Sequence, residues 1–215
     1  VRRILPALTI VTFFSLSASL VVSLPDQVIE TSEASIFAIV GLSNIYYWMQ
    51  SGYFAPDSDF SMLLHTWSLG VEEQFYILLA PLLLLIHRLR LNLRLIIAFS
   101  LPLLFFVGLW LSFNKPSVAF YLLPARAWEL GLGVALAVKL FPPAKNQNVA
   151  TLISSLGFTA VISSVFFIEK TMLFPGWVAL LPCLGTAALI HSASSVNGIG
   201  RILSMPPFRF IGIIS

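Results

Sequence analysis

Charged side chains inside apolar stretches are the residues most able to do chemistry here, because a charge in hydrocarbon is costly and is kept for a function or a partner. Two stretches hold them. The first reads His65-Thr66-Trp67-Ser68-Leu69-Gly70-Val71-Glu72-Glu73-Gln74-Phe75-Tyr76. On a helix, residues three and four apart share a face, so His65, Ser68, Glu72 and Tyr76 form one polar stripe. Glu73 is turned about 100° from Glu72, so one carboxylate can face a cavity while the other meets a neighbouring helix. Four stacked polar types imply a hydrated pocket. A plain interfacial helix start, with Trp67 and Tyr76 as belt anchors, explains Trp67 well. It explains Glu72 and Glu73 poorly, since both lie more than a turn inside.

The second stretch reads Leu123-Pro124-Ala125-Arg126-Ala127-Trp128-Glu129-Leu130-Gly131-Leu132-Gly133. Arg126 and Glu129 are three apart and can pair on one face. An internal ion pair that neutralises both charges and a substrate-binding pair remain open and compatible readings, and Glu72 or Glu73 could also engage Arg126. Gly131 and Gly133 permit close helix approach. Arg2 and Arg3 stand before the first apolar run, where topology control and headgroup contact explain them. His87 lies among arginines and His191 ends an apolar run, so neither is a good catalyst. No metal-ligand spacing, glycine-rich phosphate loop or nucleophile elbow is present.

These residues need a membrane bundle to position them. The chain is 58% hydrophobic and 10% charged, against about 25% charged for soluble domains. A net charge of +3 is too small to imply nucleic-acid binding. The lone Cys183 cannot form an internal disulfide. Six segments have roughly the ~20 apolar residues that a crossing requires: about Leu5–Leu24, His65–Ile86, Leu95–Phe113, Phe120–Leu140, Val149–Ile168 and Gly176–His191. A seventh begins near Phe208. The expected fold is an all-α, polytopic transmembrane helix bundle forming a single domain over residues 1–215, with both ends read as cuts inside a longer chain.

Ala34–Met49 is ambiguous, and charge placement decides it. If it does not cross, Arg2, Arg3, Arg88, Arg90, Arg94, Lys139, Lys145 and Arg201 share one side. Asp26, Glu30, Glu33, Asp57, Asp59 and Glu169 take the other, with Lys115 and Lys170. That separation favours an extracytoplasmic or re-entrant segment at 34–49, folded against the bundle or covering a cavity.

The run His65–Tyr76, followed by Pro81, resembles the hallmark stretch of acyltransferase family 3, membrane O-acyltransferases of surface polysaccharides, lipopolysaccharide, peptidoglycan and some small glycosides. Arg2-Arg3-Ile4-Leu5-Pro6-Ala7-Leu8 looks like the family's arginine motif. Leu123–Leu130, Phe174-Pro175-Gly176 with Leu181-Pro182, and Pro207–Ser215 resemble later motifs, so the likeness covers the whole chain. It departs in that Arg3 matches the second arginine of Arg-x-x-Arg, with the first lying before Val1. The family's proposed catalytic histidine belongs to a first helix absent from this chain, and the fragment alone is expected to be inactive.

The resemblance implies transfer of an acyl group, most often acetyl, from cytoplasmic acyl-CoA to a sugar hydroxyl of a surface glycan or lipid-linked sugar, in the bacterial inner membrane. It requires no metal. Arg2 and Arg3 would hold the donor phosphates. Glu72, with Glu73, would orient or balance the histidine, and Arg126 and Glu129 would shape the acceptor pocket. His65, Trp67, Ser68 and Tyr76 would line the substrate path, and lipids would surround the whole. A transporter or flippase, or a non-catalytic membrane scaffold, are the other classes with ionisable groups at membrane depth.

Overall fold

The computed structural model describes residues 4–51, 61–144, 146–169, 172–193 and 198–214. Among them every regular element is a helix: α1 (Ile4–Val22), α2 (Pro25–Ile39), α3 (Ser43–Gln50), α4 (Thr66–Arg88), α5 (Leu93–Asn114), α6 (Pro116–Tyr121), α7 (Leu123–Ala137), α8 (Gln147–Phe167), α9 (Leu180–Ser192), α10 (Gly198–Leu203) and α11 (Pro206–Ile214). Four of them, α1, α4, α5 and α8, are long and apolar enough to cross a bilayer. Their outward faces carry bare hydrocarbon, including Phe13, Phe14, Leu78, Phe99 and Phe166. Apolar surface on that scale suits lipid rather than water. The protein is an all-α, multi-pass membrane bundle.

Two of the six expected crossings are not continuous helices. Phe120–Leu140 is split into α6 and α7 at Leu122, which is extended at φ −100°, ψ 145°. Pro124 is the cause. It has no N–H for the Phe120 carbonyl, and its ring would collide with that carbonyl in an unbroken helix. Gly176–His191 begins helix only at Leu180, giving a 13-residue α9. Residues 174–179 form turns instead, closed by Ala179 N–H donating to the Pro175 carbonyl at 3.0 Å.

The segment at 34–49 also proves discontinuous, as a non-crossing segment would be. It divides at Gly41, whose φ of +75° is open to glycine at little cost. The Glu73 carboxylate lies against Gly41, so a side chain there would also collide with it.

Close backbone approach sets the helix pairs. A Cβ on Gly108 of α5 would stand 2.5 Å from the Ala125 carbonyl of α7. Across the α8–α9 crossing, Gly157 and Gly185 each face the other's carbonyl, at 2.7 and 2.9 Å from a would-be Cβ. Small residues at such crossings let packing and interhelical contacts hold helices together where lipid removes the hydrophobic drive.

Candidate functional site

Arg126 and Glu129 occupy the first two turns of α7, directly after the break. Their side chains are 14% and 17% exposed, and Arg126 Nη1 lies 3.6 Å from Glu129 Oε2. The guanidinium is enclosed by three aromatic rings from three different parts of the fold. Its carbon stands 4.7 Å from the Trp67 ring centre in α4, 5.5 Å from Phe120 in α6 and 5.1 Å from Phe174 in the turn before α9. Each such contact contributes about 0.5–2 kcal/mol, more as water is excluded. The rings brace one another, Trp67 to Phe120 at 4.8 Å and Phe120 to Phe174 at 6.3 Å. Phe174 is held in turn by a tie between its loop and α5, where Gly176 N–H donates to Ser112 Oγ at 3.1 Å.

Arg126 Nε and Glu129 Oε1 are buried and make no hydrogen bond among the described residues. Glu129 also lines a cavity of about 270 Å³ between α7 and α9, together with Leu132, Gly133, Pro182, Cys183 and Thr186.

A buried amide knot fixes the roof over Arg126. Gln74 Nε2 donates to Asn44 Oδ1 at 2.7 Å and to the Gly41 carbonyl at 3.2 Å. Asn44 Nδ2 donates back to Gln74 Oε1 at 3.3 Å and to the Tyr121 carbonyl at 3.1 Å. That carbonyl lies at the break, so Asn44 supplies a donor to backbone that the proline displaced. Gly70 leaves room for the knot: a Cβ there would stand 2.9 Å from Asn44 Oδ1. The knot joins α3, α4 and the α6–α7 junction, and Tyr121 stacks edge-on against Trp67 at 5.6 Å.

The polar stripe of α4 is placed differently from the expectation of a pocket shared with Arg126. His65, Ser68 and Tyr76 are exposed and Glu72 is half-buried, while the buried face of α4 carries Thr66, Gly70 and Val71. The reason is angular: Gln74 and Gly70 take the face towards α3, which turns the stripe outward. Trp67 is the roof of the Arg126 cage. Glu73 meets Gly41. Among the described residues Glu129 is the ion-pair partner of Arg126, so neither Glu72 nor Glu73 fills that role. Arg2 and Arg3 lie outside the described residues.

Asn44, Gln74, Phe120 and Phe174 were given no role from sequence, although Gln74 and Phe174 fall within the family motifs. Asn44 and Gln74 carried a faint signal, as uncharged amides in apolar surroundings that must find partners. Phe174 lay in the Phe174-Pro175-Gly176 motif without a role being evident, and Phe120, one of 18 phenylalanines in the chain, carried no signal.

A second cavity, about 340 Å³, lies between α2 and α3 and is lined by Asp26, Glu30, Glu33, Tyr46, Tyr47 and Gln50. Burial, reinforced by the nearby Glu33, pushes the Tyr46 hydroxyl up to about 12. Burial raises Tyr47 to about 12 as well, although its hydroxyl shares a 2.9 Å hydrogen bond with Ser61.

Fold and site together define a multi-pass membrane protein with a guarded ion pair among its helices. The chain belongs to acyltransferase family 3: the family's acyltransferase domain matches residues 1–215. The chain spans under half the length of the relatives that carry an acetyltransferase or transacylase name. It is 30% identical over 217 residues to an uncharacterized Haemophilus influenzae protein, covering 92% of this chain and 85% of that one. It is 30% identical over 230 residues to a Staphylococcus aureus protein named as a candidate O-acetyltransferase, covering 98% of this chain and 37% of that one. A Komagataeibacter xylinus protein named as a candidate membrane-bound transacylase is 29% identical over 182 residues, 83% of this chain and 45% of its own length. No solved structure matches the chain.

Proposed function

We propose that the full-length protein moves an acetyl group from acyl-CoA to a hydroxyl of a cell-surface glycan or glycolipid, in the inner membrane of a bacterium. One observation carries this: a guanidinium and a carboxylate are held together among apolar helices, with aromatic rings on three sides and hydrogen-bonding atoms to spare. Acyl transfer requires an oriented hydroxyl and a donor group aimed at developing negative charge. Glu129 and Arg126 are of the two types required. The relatives named as O-acetyltransferase and transacylase support the reaction class, as does the bacterial origin of all three relatives.

Arg2 and Arg3 bind the donor phosphates in this reading, and the base or acyl relay is the histidine that the family resemblance assigns to a preceding helix. Glu72 serves that histidine. A polar stripe on the outward face of a membrane helix cannot rest in hydrocarbon, where each unmatched polar group costs several kcal/mol. In this reading His65, Ser68, Glu72 and Tyr76 are covered by a part of the full-length protein outside the described residues.

The test uses radiolabelled acetyl-CoA and cells with and without the full-length protein. Label enters surface glycans only when the protein is present. The paired substitution Arg126→Gln with Glu129→Gln keeps the site neutral. It lowers incorporation by about two orders of magnitude, the scale of losing an oriented donor, with normal amounts of protein in the membrane. The interruption between α6 and α7 is also a device that transporters use. Uptake or flipping of a glycolipid without consumption of acyl-CoA would replace the enzyme reading with that one.

A further inference from the structure

Helices α4 and α7 stop in the same strained way. The turn after α4 places Arg90 in the left-handed region at φ 53°, and the turn after α7 places Lys139 there at φ 54°. Both are Schellman turns: Leu91 N–H donates to the Ile86 carbonyl and Leu140 N–H to the Ala135 carbonyl, each at 3.0 Å. Glycine takes that position at little cost, whereas a Cβ is crowded there. At both ends a long cation stands in its place.

The two turns lie at one end of the bundle. Gly108 of α5 faces Ala125 of α7, and Gly131 of α7 faces Leu101 of α5, so these helices run antiparallel. Arg94 and Lys139 therefore both lie about 10–12 Å beyond the Gly131–Leu101 contact, at a rise of about 1.5 Å per residue. The short turn between α4 and α5 adds Arg88 and Arg90. All four cations are exposed. The chain has no carboxylate between Glu73 and Glu129, or between Glu129 and Glu169, so no acid on α4, α5 or α7 answers them at this end. Membrane orientation alone asks for cations on one side, and any loop position serves that need. It does not call for two strained ones.

An apolar slot of about 150 Å³ lies between α4, α5 and α7. Ile86, Leu93 and Val134 line it nearest the cations, and Leu104 lines it about 16 Å further along α5 from Leu93. Ser100 is the one polar side chain in the lining. Leu82, also in the lining, is 49% exposed, so the slot communicates with the outward surface of α4. Its volume suits a stretch of one hydrocarbon chain, since a cavity of about 150 Å³ accepts benzene.

We propose that this end of the bundle binds one anionic phospholipid, with its phosphate among Arg90, Arg94 and Lys139 and part of one acyl chain in the α4–α5–α7 slot. A phospholipid joins phosphate to chain through a single glycerol, so charge and hydrocarbon are neighbours, as the cations and the slot are here. Basic pockets between membrane helices suit such headgroups. Coenzyme A separates its phosphates from the acyl group by a long polar arm, and an acetyl group has no chain to fill a slot. The lipid site is thus distinct from a donor site and does not depend on the acyltransferase reading.

The full-length protein in detergent is mixed with equal amounts of phosphatidylglycerol and phosphatidylcholine, and bound lipid is counted by native mass spectrometry. The wild-type protein retains phosphatidylglycerol in preference. Arg90→Gly with Lys139→Gly removes two charges while giving each turn the residue that fits it best, so the fold is kept. The preference then falls about thirtyfold, at about fivefold for each cation lost. Ser100→Leu fills the slot, leaves every cation in place and still releases the lipid. Inorganic phosphate and coenzyme A, added at the same concentration, displace none of it. The proposal is overturned by a wild-type protein without preference, or by a preference that survives the double glycine variant. Retention unaltered by Ser100→Leu also overturns it, because surface charge alone then holds the lipid. Displacement by phosphate or coenzyme A does the same, assigning the cations to a water-borne phosphate.

Discussion

At the scale of single residues, burial decides what each polar group can do. Arg126 is useful because water is kept from it. Three rings and one carboxylate surround the guanidinium, and a lysine could not replace its planar face and fixed donors. Tyr46 and Tyr47 show the same control in the cavity between α2 and α3. Both hydroxyls are raised to about 12 from 10.0. In the folded chain they keep their protons at a pH where the unfolded chain has begun to lose them. Their contribution is therefore fully present below pH 10 and is lost as pH rises from 10 to about 12. Thermal unfolding in detergent across that range should show a falling midpoint. Tyr46→Phe combined with Tyr47→Phe should flatten the fall. An unchanged slope in that variant would mean the tyrosines are not its source.

At the scale of elements, the knot between α3, α4 and the α6–α7 junction carries the argument. Asn44 is fully buried and binds Gln74 in both directions. Replacing one partner strands the other's polar atoms, at about 1–3 kcal/mol. Asn44→Leu and Gln74→Leu should each destabilise by that amount, and the double variant by clearly less than their sum, because the stranded partner is gone. Denaturant titration in detergent completes the cycle; additive losses would show that the amides do not act as a unit. Asn44 also holds the Tyr121 carbonyl, so its loss should loosen Trp67 over Arg126 and show as a red shift in tryptophan emission. Four helices were legible here. Leu5–Leu24, His65–Ile86, Leu95–Phe113 and Val149–Ile168 lie within a few residues of α1, α4, α5 and α8, because a long apolar run has few other ways to satisfy its backbone in lipid. The break at Leu122 was less legible. Pro124 announces an interruption, but proline is tolerated inside membrane helices, as Pro81 in α4 and Pro102 in α5 demonstrate.

At the scale of the whole molecule, outward faces of opposite character meet different surroundings. Trp110 on α5 is 59% exposed on an apolar face, whereas Trp128 on α7 is 3% exposed. Brominated lipids should quench a variant retaining only Trp110 strongly and one retaining only Trp128 weakly. The α4 stripe is also outward but polar. In a tryptophan-free background of the full-length protein, Tyr76→Trp should resemble Trp128, because the covering part of the full-length protein shields it. Quenching as strong as that of Trp110 would put the stripe in lipid and remove Glu72 from the proposed reaction.

The order of apolar runs, the charges lodged within them and the motif at His65–Tyr76 already determined a membrane helix bundle and its family, and made a pairing of Arg126 with Glu129 available, for these depend on composition and on spacing along one helix. Tertiary structure alone decided that Trp67, Phe120 and Phe174 close over the guanidinium, that Asn44 and Gln74 lock that roof, and that the Glu72 stripe turns away from it. Those arrangements depend on the rotation of each helix about its axis and on contacts between residues far apart in the chain. Local spacing does not specify either.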